Sequence, residues 1–187
     1  MTRWWVGCAA ALLLASATAR ADAARADDPR KDHQVFNDIA TTVNRYPQFT
    51  IFDDVSATVR DGVVTLTGKV TMPYKRDAIV NRVSAIVGVR QVNDKITVLP
   101  VSMFDDDLRY RIARSIYGNS SFWTYAAMAN PPIHIIVEHG RVTLTGVVNS
   151  NVDRMLARSL ASQFGALSVT DSLKTDAEMQ ALLEKSD

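Results

Sequence analysis

The stretch Val59-Arg-Asp-Gly-Val-Val-Thr-Leu-Thr-Gly-Lys-Val70 occurs a second time as Val137-Glu-His-Gly-Arg-Val-Thr-Leu-Thr-Gly-Val-Val148. Both copies keep Gly, Val-Thr-Leu-Thr-Gly and the terminal Val at the same internal positions. An identity of this density indicates a tandem repeat in which each copy belongs to one structural unit. We therefore expect the chain of 187 residues to contain two small domains.

Each copy has the pattern of a β-hairpin. Asp61-Gly62 and His139-Gly140 supply turn positions at which a positive φ costs little. The strand after each turn alternates between apolar and polar residues, as a half-buried strand requires. Gly68 and Gly146 fall on its buried face, where the missing Cβ is expected to let a helix approach closely. We interpret four repeat glycines as structural: Gly62, Gly68, Gly140 and Gly146.

The chain is balanced in charge, with a formal net charge of +1 at pH 7. This balance gives no global electrostatic reason to expect a nucleic-acid partner. The content of 47% hydrophobic and 22% charged residues is typical of a globular protein. The single cysteine, Cys8, lies in the first apolar run, so removal of that run would exclude disulfides and cysteine-based metal sites.

The amino terminus has the pattern of a secretory signal peptide. Arg3 supplies a positive start, an apolar run follows over 6–19, and several Ala-x-Ala patterns come next. The run is too short for a stable membrane span, and Cys8 precedes most of it, which disfavours lipidation. We expect residues 1–26 to be a signal peptide and leader. The exported chain is then periplasmic, with no transmembrane span and with peripheral attachment to the outer membrane as one option.

The order of apolar patterns around each hairpin is helix, strand, strand, helix, strand. This order predicts an α+β fold of two tandem αββαβ domains, each a mixed three-stranded sheet packed by two helices. The expected boundaries are 30–100 for domain 1, 103–175 for domain 2 and 176–187 for a polar tail, for which Met179, Leu182 and Leu183 leave a partly helical form open. Asp32 and either Asp105 or Asp106 are expected to cap the first helix of each domain. The stretch 165–169 predicts a shortened last strand in domain 2.

Domain 2 carries an aromatic insertion at 119–132, which is longer than its counterpart in domain 1. Tryptophan and tyrosine suit a boundary between water and lipid, and arginine attracts anionic headgroups. The alternative interpretation is that these aromatic side chains pack in the core of domain 2 or against domain 1. The candidate residues for lipid or partner binding are Arg111, Arg114, Tyr117, Phe122, Trp123 and Tyr125.

The sequence contains no pattern that predicts catalysis, a cofactor or a metal site. His33, His134 and His139 are scattered over a leader, a strand and a turn, which does not suit a zinc site. The acidic run 105–107 is explained by the dipole at a helix start. Serine and histidine occur without a nucleophile elbow or a third orienting group, so we expect no enzyme activity.

The paired hairpins, each followed by a helix and a Gly-x-x-x-Val step at 88–92 and 165–169, resemble the BON domain over roughly residues 30 to 175. BON domains are named for osmotically inducible and nodulation proteins and occur, often in tandem, behind secretion signals in bacterial envelopes. The resemblance implies a non-enzymatic module that attaches to phospholipid membranes or to envelope partners, often in osmotic or envelope stress. Two functions stay open: association with an anionic phospholipid surface, or a protein–protein adaptor in the envelope that does not bind lipid.

Overall fold

The computed structural model describes residues 32–184, and the side chains as far as residue 181. The signal peptide and leader predicted for 1–26 lie outside the described residues. Domain 1 consists of α1 (Asp32–Asn44), β1 (Asp54–Arg60), β2 (Val63–Val70), α2 (Pro73–Ser84) and β3 (Gln91–Val98). Domain 2 consists of α3 (Met103–Tyr117), α4 (Trp123–Ala126), β4 (Ile133–Glu138), β5 (Arg141–Val148), α5 (Asn151–Ala161), β6 (Ser168–Thr175) and α6 (Asp176–Glu184), with 3-10 turns at Ser120–Phe122 and Ser162–Phe164.

The two sheets have the same topology, which confirms the predicted fold class. Their strand orders are β1-β2-β3 and β4-β5-β6. The first pair in each sheet is an antiparallel hairpin, and the second pair is parallel across a helical crossover. Each sheet therefore has one edge strand from the hairpin, β1 or β4, and one edge strand from the crossover, β3 or β6.

The helices of each domain pack on one face of its sheet. Val35, Ile39 and Val43 repeat at a spacing of four on α1, and all three are buried. They join a cluster that includes Leu66 from β2 and Ile79 from α2. Domain 2 has the larger buried cluster, which contains Phe122 and Tyr125 and receives Ile51 and Phe52 from domain 1.

One sequence expectation about the end of the chain is corrected. Strand β6 has 8 residues, as many as β3, so the last strand of domain 2 is not shortened. Residues 176–184, which belong to the stretch expected to be a polar and partly helical tail, form helix α6. Its start is a capping box, in which the Glu178 carboxylate accepts from the Thr175 N–H and the Thr175 hydroxyl accepts from the Glu178 N–H. The Thr175 N–H is the main reason why the pKa of Glu178 is lowered.

Two aspartates fix the hairpin turns instead of capping a helix. The two carboxylate oxygens of Asp105 accept from the backbone N–H groups of His139, at 2.8 Å, and Gly140, at 2.7 Å. Asp32 holds the first hairpin turn in the same way, through the two N–H groups of 61–62. The residue that caps α3 is Ser102, whose hydroxyl accepts from the Asp105 N–H. Asp32 and Asp105 are therefore equivalent positions of the repeat.

The glycines inside β2 and β5 admit a neighbouring strand, not a helix. Gly68 has φ +126°, and a Cβ there would lie 2.1 Å from the carbonyl oxygen of Asp54. Gly146 has φ +111°, and its Cβ would lie 1.8 Å from the carbonyl oxygen of Pro132. Both oxygens belong to backbone just before or at the start of the hairpin's first strand, so any side chain would push the hairpin apart.

Candidate functional site

Half of the residues predicted to bind lipid or a partner lie inside domain 2. Phe122 is fully buried, and Tyr125 is almost fully buried with its ring centroid 5.7 Å from that of Phe122. The Tyr125 hydroxyl donates to the Asp153 carboxylate and accepts from the Asn149 N–H, which ties the insertion to the start of α5. Burial, with the nearby Asp153 charge, raises the pKa of Tyr125.

Tyr117 also has a structural position. Its hydroxyl donates to the carbonyl oxygen of Ile133 at 2.5 Å and accepts from the N–H of the same residue at 3.1 Å. Burial raises the pKa of Tyr117 well above its ordinary value. The side chain therefore holds the beginning of β4 and is neutral at any physiological pH.

The other three predicted residues lie at the surface. Arg111 forms an ion pair of 2.7 Å with Asp107, one helical turn earlier. Arg114 is exposed in the last turn of α3, and Trp123 is 67% exposed at the start of α4. The structure thus leaves Arg111, Arg114 and Trp123 as the members of the predicted set that can reach a partner.

A second exposed surface, which we call the apolar tip, was not predicted from the sequence. It consists of Val101, Met103, Phe104 and Leu167. Phe104 and Leu167 meet over the hairpin turn, because their side chains lie 3.5 Å and 3.2 Å from the position that a Cβ on Gly140 would take. The sequence signal was the run Val101-Ser-Met-Phe104, which places three apolar residues around a helix cap.

The two domains meet at the edge of β4. The backbone N–H of Ile135 donates to the carbonyl oxygen of Ile51 at 2.7 Å. The ring of His134 packs on Phe49, and its Nδ1 donates to the carbonyl oxygen of Asp53 at 2.6 Å. The segment 49–53 of domain 1 therefore covers part of the free edge of the domain 2 sheet. Lys69 and Glu138 add an ion pair across the junction.

The docking segment 49–53 is held in domain 1 by the buried carboxylate of Asp53. This carboxylate accepts from the N–H and hydroxyl groups of Thr50 and Thr71 at 2.7–2.9 Å. It also accepts from the Lys75 ammonium at 2.6 Å. Burial raises the pKa of Asp53, but the hydrogen bonds from Lys75 and the two threonines outweigh burial, so the pKa lies below its ordinary value.

A groove of about 580 Å³ runs beside this junction. Its walls come from the end of α1, from the start of β1 and from the insertion of domain 2, with Asp54, Val55 and Pro131 among the lining residues. Two lining residues from different domains are joined, since the Asn130 amide donates to the carbonyl oxygen of Asn44 at 2.7 Å. Among the described residues that line it, no nucleophile, base and orienting group converge.

Within residues 32–184, no helix combines the length and the hydropathy that a membrane span requires.

The three histidines lie in different parts of the structure. His33 is exposed on α1, His134 lies at the domain junction and His139 is part of the second hairpin turn.

The chain was compared with curated protein sequences and with solved structures. No curated protein sequence matches the chain. Two solved structures of CdsD, a structural protein of the type III secretion system of Chlamydia trachomatis, are weakly similar. One, its C-terminal domain, has 14% identity and a TM-score of 0.33 and covers 79% of this chain and 68% of that one. The other has 15% identity and a TM-score of 0.29 and covers 81% of this chain and 97% of that one.

The family model of the BON domain matches the chain twice. The first match covers residues 33–100, which is nearly all of domain 1, and the second covers residues 123–177, from α4 to the start of α6. The resemblance noted from the repeated hairpins is thereby confirmed. Together the two matches include every strand of both sheets, and the chain belongs to the BON domain family.

Proposed function

We propose that the protein attaches peripherally to anionic phospholipid surfaces of the bacterial envelope, and that domain 2 makes the contact. BON domains are non-catalytic modules associated with phospholipid binding in envelope proteins, which supports a binding role over an enzymatic one. The apolar tip is the observation that carries the proposal. Large apolar side chains that stand together in water mark a surface that a partner or a membrane covers.

The apolar tip has the composition of a membrane wedge. Met103 and Leu167 are 89% and 76% exposed, and Phe104, which lies beside Leu167 at the turn, is 56% exposed. Full transfer of one such side chain out of water contributes about 1.5–3 kcal/mol. Arg141, the exposed residue after the turn, supplies a cation that is worth about 1 kcal/mol beside anionic headgroups.

Domain 1 does not offer the same surface. The first hairpin turn is flanked by Arg90, whose side-chain carbons lie 3.1–3.3 Å from the position that a Cβ on Gly62 would take. Arg90 therefore occupies in domain 1 the place that Leu167 occupies in domain 2. A cation replaces an apolar side chain, so we assign insertion into the lipid to domain 2 alone.

Arg111, Arg114 and Trp123 form the second part of the proposed contact. Arg114 and Trp123 lie at the carboxyl end of α3, whereas the apolar tip lies at its amino end. A helix of 15 residues is roughly 22 Å long, so the tip and Trp123 are separate contacts. This separation allows variants to distinguish them.

The test is co-sedimentation of residues 27–187, which include every described residue, with neutral and with anionic lipid vesicles at two salt concentrations. We expect binding to anionic vesicles that weakens as salt rises. Leu167→Glu is expected to lower the binding constant roughly tenfold, because it removes one inserted side chain. Val152→Glu is the matched control, since Val152 is 72% exposed on α5, away from the tip.

The outcomes separate the two surfaces and the alternative function. Loss of binding in Trp123→Ala, Arg114→Ala but not in Leu167→Glu would move the contact to the carboxyl end of α3. Failure to bind anionic vesicles even at low salt would overturn the membrane proposal. The adaptor function would then be favoured, since a protein scaffold ignores lipid.

Export to the periplasm, attachment at the outer membrane and a role in osmotic or envelope stress belong to the same proposal. The apolar run 6–19 supports export. Fractionation of cells that produce the full chain tests this part, and retention in the cytoplasm would contradict it.

A further inference from the structure

The outer edge of β1 carries unpaired backbone groups. In an antiparallel hairpin, residues alternate between bonding the partner strand and pointing away from it. Arg60 pairs with Val63 next to the turn, so the outward residues of β1 are Val55, Ala57 and Val59. Each presents one N–H and one C=O at the edge of the sheet.

The equivalent edge in domain 2 is largely occupied. The outward residues of β4 are Ile133, Ile135 and Val137. Tyr117 bonds both backbone groups of Ile133, and domain 1 bonds the N–H of Ile135 through the carbonyl oxygen of Ile51. The buried guanidinium of Arg109 donates to the carbonyl oxygen of Val137 at 2.9 Å. Little of this edge remains for another strand.

Domain 1 lacks the side chains that occupy this edge. Because Asp32 and Asp105 are equivalent, Asn44 stands where domain 2 has Tyr117, and Phe36 stands where it has Arg109. Phe36 cannot donate a hydrogen bond, and it is 38% exposed. Among residues 32–184, no hydrogen bond reaches the outward groups of Val55, Ala57 or Val59. An edge strand of this kind is a template for pairing with another chain.

We propose that β1 pairs with β1 of a second copy of this chain, antiparallel and about a twofold axis at Ala57. This register places Ala57 opposite Ala57 of the second copy and Val55 opposite Val59, so the outward groups face one another. It places Asp54 opposite Arg60 of the second copy, and by symmetry the pair occurs twice. Opposite charges directly across two strands are stabilising, which makes this edge complementary to itself.

The ends of β1 leave room for this pairing. Asp54 and Val55 line the groove of about 580 Å³, on the side where the hairpin turn of the second copy would lie. The side chains of Ser56, Thr58 and Arg60 lie on the sheet face away from the core and are exposed, so this face of β1 is open to solvent among the described residues. Six strands in one continuous sheet would result from joining two three-stranded sheets of domain 1.

The first test measures mass against concentration for residues 27–187 by analytical ultracentrifugation. We expect a reversible dimer. Asp54→Arg or Arg60→Asp alone brings like charges together twice and is expected to weaken dimerisation about tenfold. The double variant exchanges the two charges and is expected to restore the dimer. Lys95→Glu is the matched control, because it reverses the charge of an exposed side chain on β3, at the opposite edge of the sheet.

The second test determines the register of the proposed pairing between the two β1 strands. Residues 27–187 contain no cysteine, because Cys8 is the only one in the chain. Ser56→Cys and Thr58→Cys chains are mixed under mild oxidation, since these positions are directly opposite in the proposed pairing. A covalent dimer that forms in the mixture and much less in either chain alone supports the register. A chain that is monomeric at every concentration, or a dimer that the exchanged pair fails to restore, overturns the proposal.

Discussion

Replacement of Asp53 by asparagine tests how domain 1 holds the segment that covers the edge of β4. The Asp53 carboxylate is fully buried and binds the Lys75 ammonium, which is also buried. Asparagine has nearly the same shape but no charge, so Lys75 would lose its partner inside the protein. The same change weakens the hold on Thr50, which lies next to Ile51 in the docking segment.

The expected cost follows from this burial. Removal of one member of a buried ion pair destabilises a protein by about 3–5 kcal/mol, because an uncompensated charge remains in a low dielectric. Asp77→Asn is the matched control with the same change of charge, since Asp77 pairs with Arg76 at the surface. An exposed pair of this kind contributes about 1 kcal/mol or less. Adding Lys75→Met to Asp53→Asn removes the stranded charge and is expected to recover part of the loss.

Two measurements check this prediction. Urea denaturation gives the free energy of unfolding of each variant. Amide hydrogen exchange reports the docking directly, because the carbonyl oxygen of Ile51 in domain 1 is the acceptor of the Ile135 N–H within residues 32–184. The N–H of Ile136 points to β5 and serves as an internal control within domain 2. We expect Asp53→Asn to reduce protection of Ile135 far more than protection of Ile136.

Equal losses of stability in Asp53→Asn and Asp77→Asn would refute the assignment of the buried pair. Unchanged protection of Ile135 in an Asp53→Asn protein that is otherwise destabilised would refute the link between the pair and the junction. The segment 49–53 would then be held independently of the buried pair, with contributions from the rings of Phe49 and Phe52 on His134 and Tyr110.

The remaining predictions concern the hairpin backbone and acid stability. Gly146→Ala is expected to cost more than 3 kcal/mol of folding free energy, because its Cβ would collide with the Pro132 carbonyl oxygen. Gly165→Ala, where φ is also positive but nothing lies within 4 Å, is expected to cost only about 1–2 kcal/mol; equal thermal shifts in the two variants would contradict this. Because the pKa of Asp53 is lower in the folded protein, the unfolded chain binds more protons in acid. The stability contributed by Asp53 is thus complete above about pH 4 and is lost as the pH falls through the lowered value. Urea denaturation across this range should show a shallower pH dependence in Asp53→Asn, and an unchanged slope would contradict the shift.

Local patterns of sequence were sufficient to predict the repeated fold. The turn pairs 61–62 and 139–140 and the alternation that follows each turn specify a hairpin without any tertiary information. The glycines at 88 and 165, which follow the second helix of each domain, and the apolar strands after them specify the crossover. The expected roles of Gly68 and Gly146 were less accurate, because only the folded hairpin shows which backbone atom approaches each glycine.

Burial decided which candidate side chains can reach a partner, and burial cannot be read from composition. Phe122 and Trp123 are neighbours in sequence and both aromatic, yet one is fully buried and the other is 67% exposed. Their difference arises from the turn Ser120–Phe122, which directs consecutive side chains to different sides. Leu167 is 27 residues from Gly140 in sequence, so the apolar tip exists only after β6 pairs with β5.

The two domains differ at the residues that pack against the edge and the turn of the repeated hairpin. Arg109 in α3 reaches the edge of β4, and Leu167 lies over the second turn, whereas domain 1 has Phe36 and Arg90 at these positions. These replacements leave β4 largely occupied and the second turn apolar, and they leave β1 open and the first turn charged. Leu167→Glu therefore removes an apolar contact without altering β1, and Asp54→Arg alters β1 without altering the apolar tip. A dimer carries two apolar tips, and binding of one tip raises the effective concentration of the other tip at the membrane. Asp54→Arg should therefore weaken membrane attachment at low protein concentration, because it favours the monomer. The salt dependence of attachment should not change.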